Sequence, residues 1–305
     1  MRRRSTTKCA SRFVATCPMI AMKEFERFSK SGHRSFRESS LPDSNPPTIM
    51  TNGHETIQLR LEDRAAWITL DRPPLNILDT AMMRALDAAL KRAVPKCDFV
   101  IFQGAGQKAF SAGAEIADHA PKRVSKMLSA FHAVFRRLAA ADRVTIAAVH
   151  GYCLGGGMEL ASFCDFVLAA ESAEFGQPEI KLGCFPPVAM VTLPQLIGMR
   201  AAARLILTGE QIDAAEAYRL GIVTRMVPDA ELPAAVDSLL EELRRLSPSV
   251  LRLTRKTLHR LHFADFAKQL KEAERVYLSV LMKSHDAREG ILAFLEKRKP
   301  NWKGK

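Results

Sequence analysis

The sequence predicts an α/β fold followed by a C-terminal helical module, on three observations. Strand-like and helix-like patterns alternate from about residue 56 to residue 228. The strand patterns stop after about residue 230. Beyond that point apolar side chains recur every three or four positions, as in Phe263, Phe266, Leu270, Ala273, Tyr277 and Val280. The chain has 305 residues, 47% hydrophobic and 26% charged, so it can bury a sizeable core and is not disordered or fibrous as a whole.

The elements follow in order. Residues 1–52 lack sustained periodicity, are rich in Arg, Ser and Pro, and are expected to be a disordered extension or a targeting segment. The opening MRRRSTTKCASRFVATCPMIAM is Arg-rich and acid-free, as a mitochondrial transit peptide would be; the alternative is an upstream start, with Met50 as the native one and a cytoplasmic protein. A core over 53–230 and a helical module over 231–305 follow. In the core, Ile57, Leu59 and Leu61 alternate with polar residues, and Ala65 to Leu70 forms a second β-like run after Glu62-Asp63-Arg64, which predicts a hairpin. Pro73 and Pro74 stop it. Asp79 or Thr80 caps a helix to about Ala93, with Met82, Leu86 and Ala89 on one face and Asp87 four residues before Lys91. Asp98 to Gln103 reads as a buried strand, residues 122–140 as a helix, and Thr145 to Val149 as a strand leading to Gly155, Gly156 and Gly157. Residues 230–246 and 248–262 are helical by pattern.

Composition narrows the function classes. No apolar run approaches the roughly 18 residues of a membrane span, so no membrane partner is expected. Six cysteines without a C-x-x-C pair suit reduced thiols, and no metal site is expected. Half of the net charge of +12 lies in the first fifty residues, which hold ten basic and four acidic side chains, so the body is only mildly basic and no nucleic-acid partner is expected.

Three stretches carry chemistry. In VHGYCLGGGMELASFCD (149–165) a strand gives way to three glycines and a helix, a pattern that lets backbone N–H groups approach a ligand at a positive helix end, with Glu159 in the first turn. KAFSAGAEI (108–116) is a second small-residue loop. In EFGQPEIKLG (174–183), Pro178 fixes the approach to Glu179. Each alone suits a helix-stabilising carboxylate, a surface loop or a solvated Glu. GAGQKA at 104–109 imitates a dinucleotide fingerprint, but no helix pattern follows and no acid ends a second strand about twenty residues on. Ala109 to Gly113 approximates a nucleophile elbow without its first glycine.

Taken together and in order, these stretches resemble the enoyl-CoA hydratase/isomerase, or crotonase, superfamily. The resemblance also rests on RPPLNIL (72–78), LTGEQIDAAEAYRLGIVTRMVP (207–228) and the terminal SHDAREGILAFLEKRKPNW, and it spans residues 55–305. It implies a spiral of ββα units, a catalytic core over 53–230, and C-terminal helices that assemble a homotrimer or homohexamer. The substrate it implies is an acyl-CoA, with coenzyme A as part of that substrate and no separate cofactor or metal. It places the thioester oxygen between the amides of Ala114 and Gly156, and makes Glu159 the general base and Glu179 the proton donor of a hydration. Isomerases and thioester hydrolases share the fold, as do some RNA-binding relatives; retention of both glutamates points to hydration. Where many members carry PGAGG, this chain has Cys184-Phe185-Pro186-Pro187-Val188-Ala189. That run resembles the branch hydrating cyclic dienoyl-CoA thioesters in aromatic degradation, with Ala112, Phe185 and Pro186 expected at the substrate and the 185–189 run read as a loop.

Overall fold

The computed structural model describes residues 55–305; the expected extension over 1–52, with its targeting and start-site readings, lies outside the described residues. β1 (Ile57–Glu62) and β2 (Ala65–Leu70) pair antiparallel, with Glu62 opposite Ala65, so Asp63 and Arg64 alone make the turn. Both sit in the left-handed region, at φ 46° and 66°, the twist that a two-residue hairpin demands. β3 (Phe99–Gly104), β5 (Val144–Val149), β7 (Phe166–Ala170) and β10 (Arg225–Val227) continue parallel to β2, giving the order β1-β2-β3-β5-β7-β10. All six residues of β5 are buried, as expected for a central parallel strand covered on both faces.

Three of these strands are each followed by a three-residue strand in a second sheet. β4 (Ala109–Ser111) follows β3, β6 (Tyr152–Leu154) follows β5 and β8 (Glu174–Gly176) follows β7, with β9 (Gln211–Asp213) at the edge. The repeat of strand, short strand and helix is the expected spiral. α1 (Thr80–Ala93) starts at Asp79, whose carboxylate accepts from the Met82 amide at 2.8 Å, and it buries Met82, Met83, Leu86 and Leu90. Asp87 does not serve Lys91 as its spacing predicted. It receives a two-pronged contact, 2.6 and 2.9 Å, from Arg137 of α2 (Val124–Ala140), because a planar guanidinium fits a carboxylate better than an ammonium on a flexible stem. α3 (Gly156–Ser162), α4 (Pro187–Ile197), α5 (Met199–Thr208) and α6 (Ala214–Leu220) complete the strand-bearing part.

Among the described residues no strand follows β10. α7 (Leu232–Arg244) lays Leu232, Val236 and Leu240 on the outer face of the six-stranded sheet, against Phe99, Ile101, Ile146 and Leu168. α8 (Pro248–His262) follows; α9 (Phe266–Ser279) packs on α4 and α2, and α10 (His285–Leu295) packs on the single turn Pro178–Leu182. The C-terminal helices α9 and α10 therefore lie against α4 and the turn that carries Glu179. No described helix is long and apolar enough to cross a membrane.

Candidate active site

The loop after β4 and the start of α3 lie against each other. Gly155, at φ 51°, turns the chain from β6 into α3, a conformation that favours glycine. A Cβ on Gly157 would collide with the Ser111 carbonyl, and a Cβ on Gly156 would lie 3.5 Å from the Ala114 amide nitrogen. The missing side chains let two stretches of backbone touch, and this brings the amides of Ala114 and Gly156 together. Neither amide has an acceptor among the described residues. Gly156 is the first residue of α3, whose leading N–H groups have no intrahelical partner.

What holds the Ala114 loop was not read from the sequence. Leu78 donates to the Gly113 carbonyl, Glu115 to the Leu78 carbonyl and Ala112 to the Leu75 carbonyl, each at 2.9 Å. Asn76 is fully buried and donates to the carbonyls of Ala105 and Ala109 at 3.0 and 2.8 Å; Ser111 donates to the Asn76 carbonyl at 2.8 Å and accepts from Gly113 at 3.2 Å. The 72–78 motif is thus a brace that splints the loop. The Ala112 amide is committed to this brace, so its carbonyl is the group it can offer a substrate.

The two glutamates come from different elements. Glu159, on α3, is 2% exposed, and its Oε1 accepts from the amides of Val188 and Ala189, both at 2.8 Å. Those are the first free amides of α4, which begins at Pro187. The 185–189 run is therefore a helix start and not the loop expected from sequence. Its two prolines aim a helix N-terminus, with its partial positive charge, at Glu159. Glu179 sits on the single turn Pro178–Leu182, with Oε1 2.6 Å from where a Gly155 Cβ would lie and Oε2 enclosed without a partner. Pro186 is buried, and half-buried Phe185 meets Tyr277 edge-on with ring centres 5.0 Å apart.

Burial raises the pKa of both carboxyls. For Glu159 the two α4 amides oppose the rise, whereas for Glu179 the neighbouring Glu159 carboxylate adds to it. Glu159 therefore ionises first and Glu179 keeps its proton to higher pH, although both are the same residue type. Two carboxyls in different surroundings and two unclaimed N–H donors thus lie around the junction of β6, α3 and the Pro178–Leu182 turn. A cavity of about 590 Å³ lies elsewhere, between the outer sheet face and α7, lined by Trp67, Gln103, His150 and Val236 among others. It holds none of these groups.

A pair of carboxyls and a pair of free amides on a ββα spiral define an enzyme of the crotonase fold. The comparisons agree: residues 61–305 match the enoyl-CoA hydratase/isomerase family model, and the chain belongs to that family. It is 38% identical to the cyclohexa-1,5-dienecarbonyl-CoA hydratase of Thauera aromatica over 240 residues, 78% of this chain and 92% of that one. It is 34% identical to the crotonyl-CoA hydratase of Syntrophomonas wolfei subsp. wolfei, covering 82% and 98%. An enoyl-CoA hydratase structure from Mycobacterium avium subsp. paratuberculosis K-10 superposes with a TM-score of 0.73 at 29% identity, covering 81% of this chain and 98% of that one.

Proposed function

We propose that the chain is a hydro-lyase that adds water across the conjugated double bond of an enoyl-CoA thioester, with Glu159 as base and Glu179 as acid. The observation that carries this reading is the geometry of two glutamates, one held by two helix amides and one with an enclosed unpartnered oxygen, beside two unclaimed backbone donors. The thioester oxygen lies between the amides of Ala114 and Gly156. Glu159 takes a proton from water as its oxygen attacks the β-carbon, and negative charge builds on the thioester oxygen. Each preorganised donor is worth about 3 to 4 kcal/mol there. Glu179 then delivers its proton to the α-carbon, and solvent exchange resets the pair. Acid, base and oxyanion donors all come from the chain, and coenzyme A arrives as part of the substrate.

Gly155→Ala is expected to lower kcat/KM by on the order of a hundredfold, because its Cβ would displace the Glu179 carboxyl and a misplacement of about 1 Å carries that cost. Steady-state kinetics on the folded variant check this, and near-wild-type turnover would remove Glu179 from the reacting centre.

For the acyl group, the proposal is a cyclic dienoyl thioester. Half-buried Phe185, backed by the buried Tyr277 ring, offers a flat apolar surface that suits a ring. Cyclohexa-1,5-diene-1-carbonyl-CoA is expected to exceed crotonyl-CoA in kcat/KM by more than about tenfold. Equal or better use of crotonyl-CoA would reject the ring and leave the hydration standing. Phe185→Ala is the variant to compare, because replacing the whole 185–189 run would also strip Glu159 of its two amide donors. Exposed Val250, Leu253, Leu258 and Leu261 on α8 support assembly into a homotrimer or homohexamer, which light scattering reads directly.

A further inference from the structure

The Tyr277 side chain is 1% exposed, yet its hydroxyl has no oxygen or nitrogen partner among the described residues. Its one neighbour among them is the Cys184 thiol, a weak hydrogen-bonding group, and a buried hydroxyl so poorly served asks for an explanation. Glu179 Oε2 has no partner, although the other carboxyl, Glu159, is well supplied with donors.

The fold brings these two groups to the same side of the site. Cys184 donates its amide to the Glu179 carbonyl at 3.0 Å, its thiol lies beside the Tyr277 hydroxyl, and the next residue, Phe185, carries the ring that meets Tyr277 at 5.0 Å. Tyr277 reaches this place from α9, which packs on α4, and α4 supplies the amides that hold Glu159. Glu179 Oε1 faces Gly155, so Oε2 is the oxygen left for a partner.

We infer that Tyr277 is a positioning residue whose hydroxyl hydrogen-bonds Glu179 Oε2 through one bridging water, and so steadies Glu179 as it gives up its proton. This rests on the reading of Glu179 as the proton donor. While Glu179 carries its proton on Oε1, the phenol O–H is directed at Oε2 through that water. Once that proton has gone to the substrate α-carbon, the same O–H serves the full carboxylate, keeping its own proton. Hydrogen bonds to charged oxygens are stronger than neutral ones, so the contact favours the ionised product of the step. The pKa directions agree: burial first, then Cys184, and then both glutamates hold the Tyr277 phenol up, so it remains a donor. The titratable groups facing Glu179 are Glu159 of α3, Cys184 and Tyr277. From α10, Asp286 spends its carboxylate on the amides of Lys303 and Gly304, and from α5, Arg204 spends its guanidinium on Glu210 and Glu216.

Tyr277→Phe removes only the hydroxyl. The variant is expected to keep its melting temperature and KM, lose about tenfold in kcat, and move the alkaline limb of the pH profile up by about one unit. The limb moves up because Glu179, without its donor, holds its proton to higher pH. An unchanged limb in a folded variant overturns the inference. Infrared titration supplies the second arm and does not need turnover. The protonated-carboxyl band absent from Glu179→Gln is expected to shift in Tyr277→Phe, and the tyrosine C–O band of the otherwise native chain to shift in Glu179→Gln. If neither band moves, the contact does not exist. If the bands move but no enoyl-CoA is hydrated, the contact stands and the proposed function falls.

Discussion

Glu179→Gln is expected to lower hydration at least about a hundredfold and to make the protein more stable at alkaline pH. The kinetic loss is the lower scale for a general acid and corresponds to about 2.7 kcal/mol of transition-state stabilisation. Gln fills the same space and carries no transferable proton. The stability gain follows from linkage. Burial and Glu159 raise the folded-state pKa of Glu179, so its contribution to stability is complete below the unfolded value near 4.5 and is lost as pH rises through the folded value. The variant has no such loss, so its melting temperature gains on the wild type as pH increases. Glu159→Gln is expected to show a similar kinetic loss, its amide oxygen still accepting from Val188 and Ala189. Thermal melts at several pH values and steady-state rates check both statements. A folded variant with near-native turnover would take that glutamate out of the mechanism.

Arg255→Ala is expected to destabilise the protein by about 3 to 5 kcal/mol, the cost of stranding a buried charge. Arg255 is 5% exposed and reaches from α8 to the Asp165 carboxylate at 2.6 Å, to the Leu138 carbonyl at 3.5 Å and to the Ala141 carbonyl. Asp165 also accepts from the Thr145 amide at 2.7 Å and pairs with His259 at 2.8 Å. Burial pushes the Asp165 pKa up, but His259 and Arg255 outweigh it and hold the group below its usual value. This knot ties α8 to the start of β5 and to the turn that follows α3, the helix bearing Glu159. Urea unfolding reads the loss, and a change below about 1 kcal/mol would show that the pair contributes little to stability.

The architecture was legible where patterns are long. The Ile57–Leu70 hairpin and α1 carry enough residues for a period of 2 or 3.6 to show, and β5 for a buried apolar run. The second sheet was not legible, because three-residue strands such as Ala109–Ser111 and Tyr152–Leu154 show no period at all. The site divides in the same way. Glycines and alanines marked the two small-residue loops locally, but it was the family resemblance that pointed to the amides of Ala114 and Gly156 and gave Glu159 and Glu179 their expected roles. Partners made by tertiary contact left no local mark. Asn76 and Ser111 look like ordinary polar residues until they brace the loop, and Tyr277 looked like one more apolar position on a helix face. Pro187 was the one missed signal within reach of sequence: a proline before Val188 and Ala189 marks the first turn of a helix whose leading amides need an acceptor.

Addition of one water to an enoyl thioester by this chain is tested most directly by following the reaction in ¹⁸O-labelled water by mass spectrometry. Crotonyl-CoA and the cyclic dienoyl-CoA are each incubated with the full chain while the conjugated-thioester absorbance is recorded. The account predicts that absorbance falls as an acyl-CoA heavier by one labelled water accumulates, and that no free thiol appears. Release of free coenzyme A with ¹⁸O in a carboxylic acid, or no change with either thioester, would contradict it.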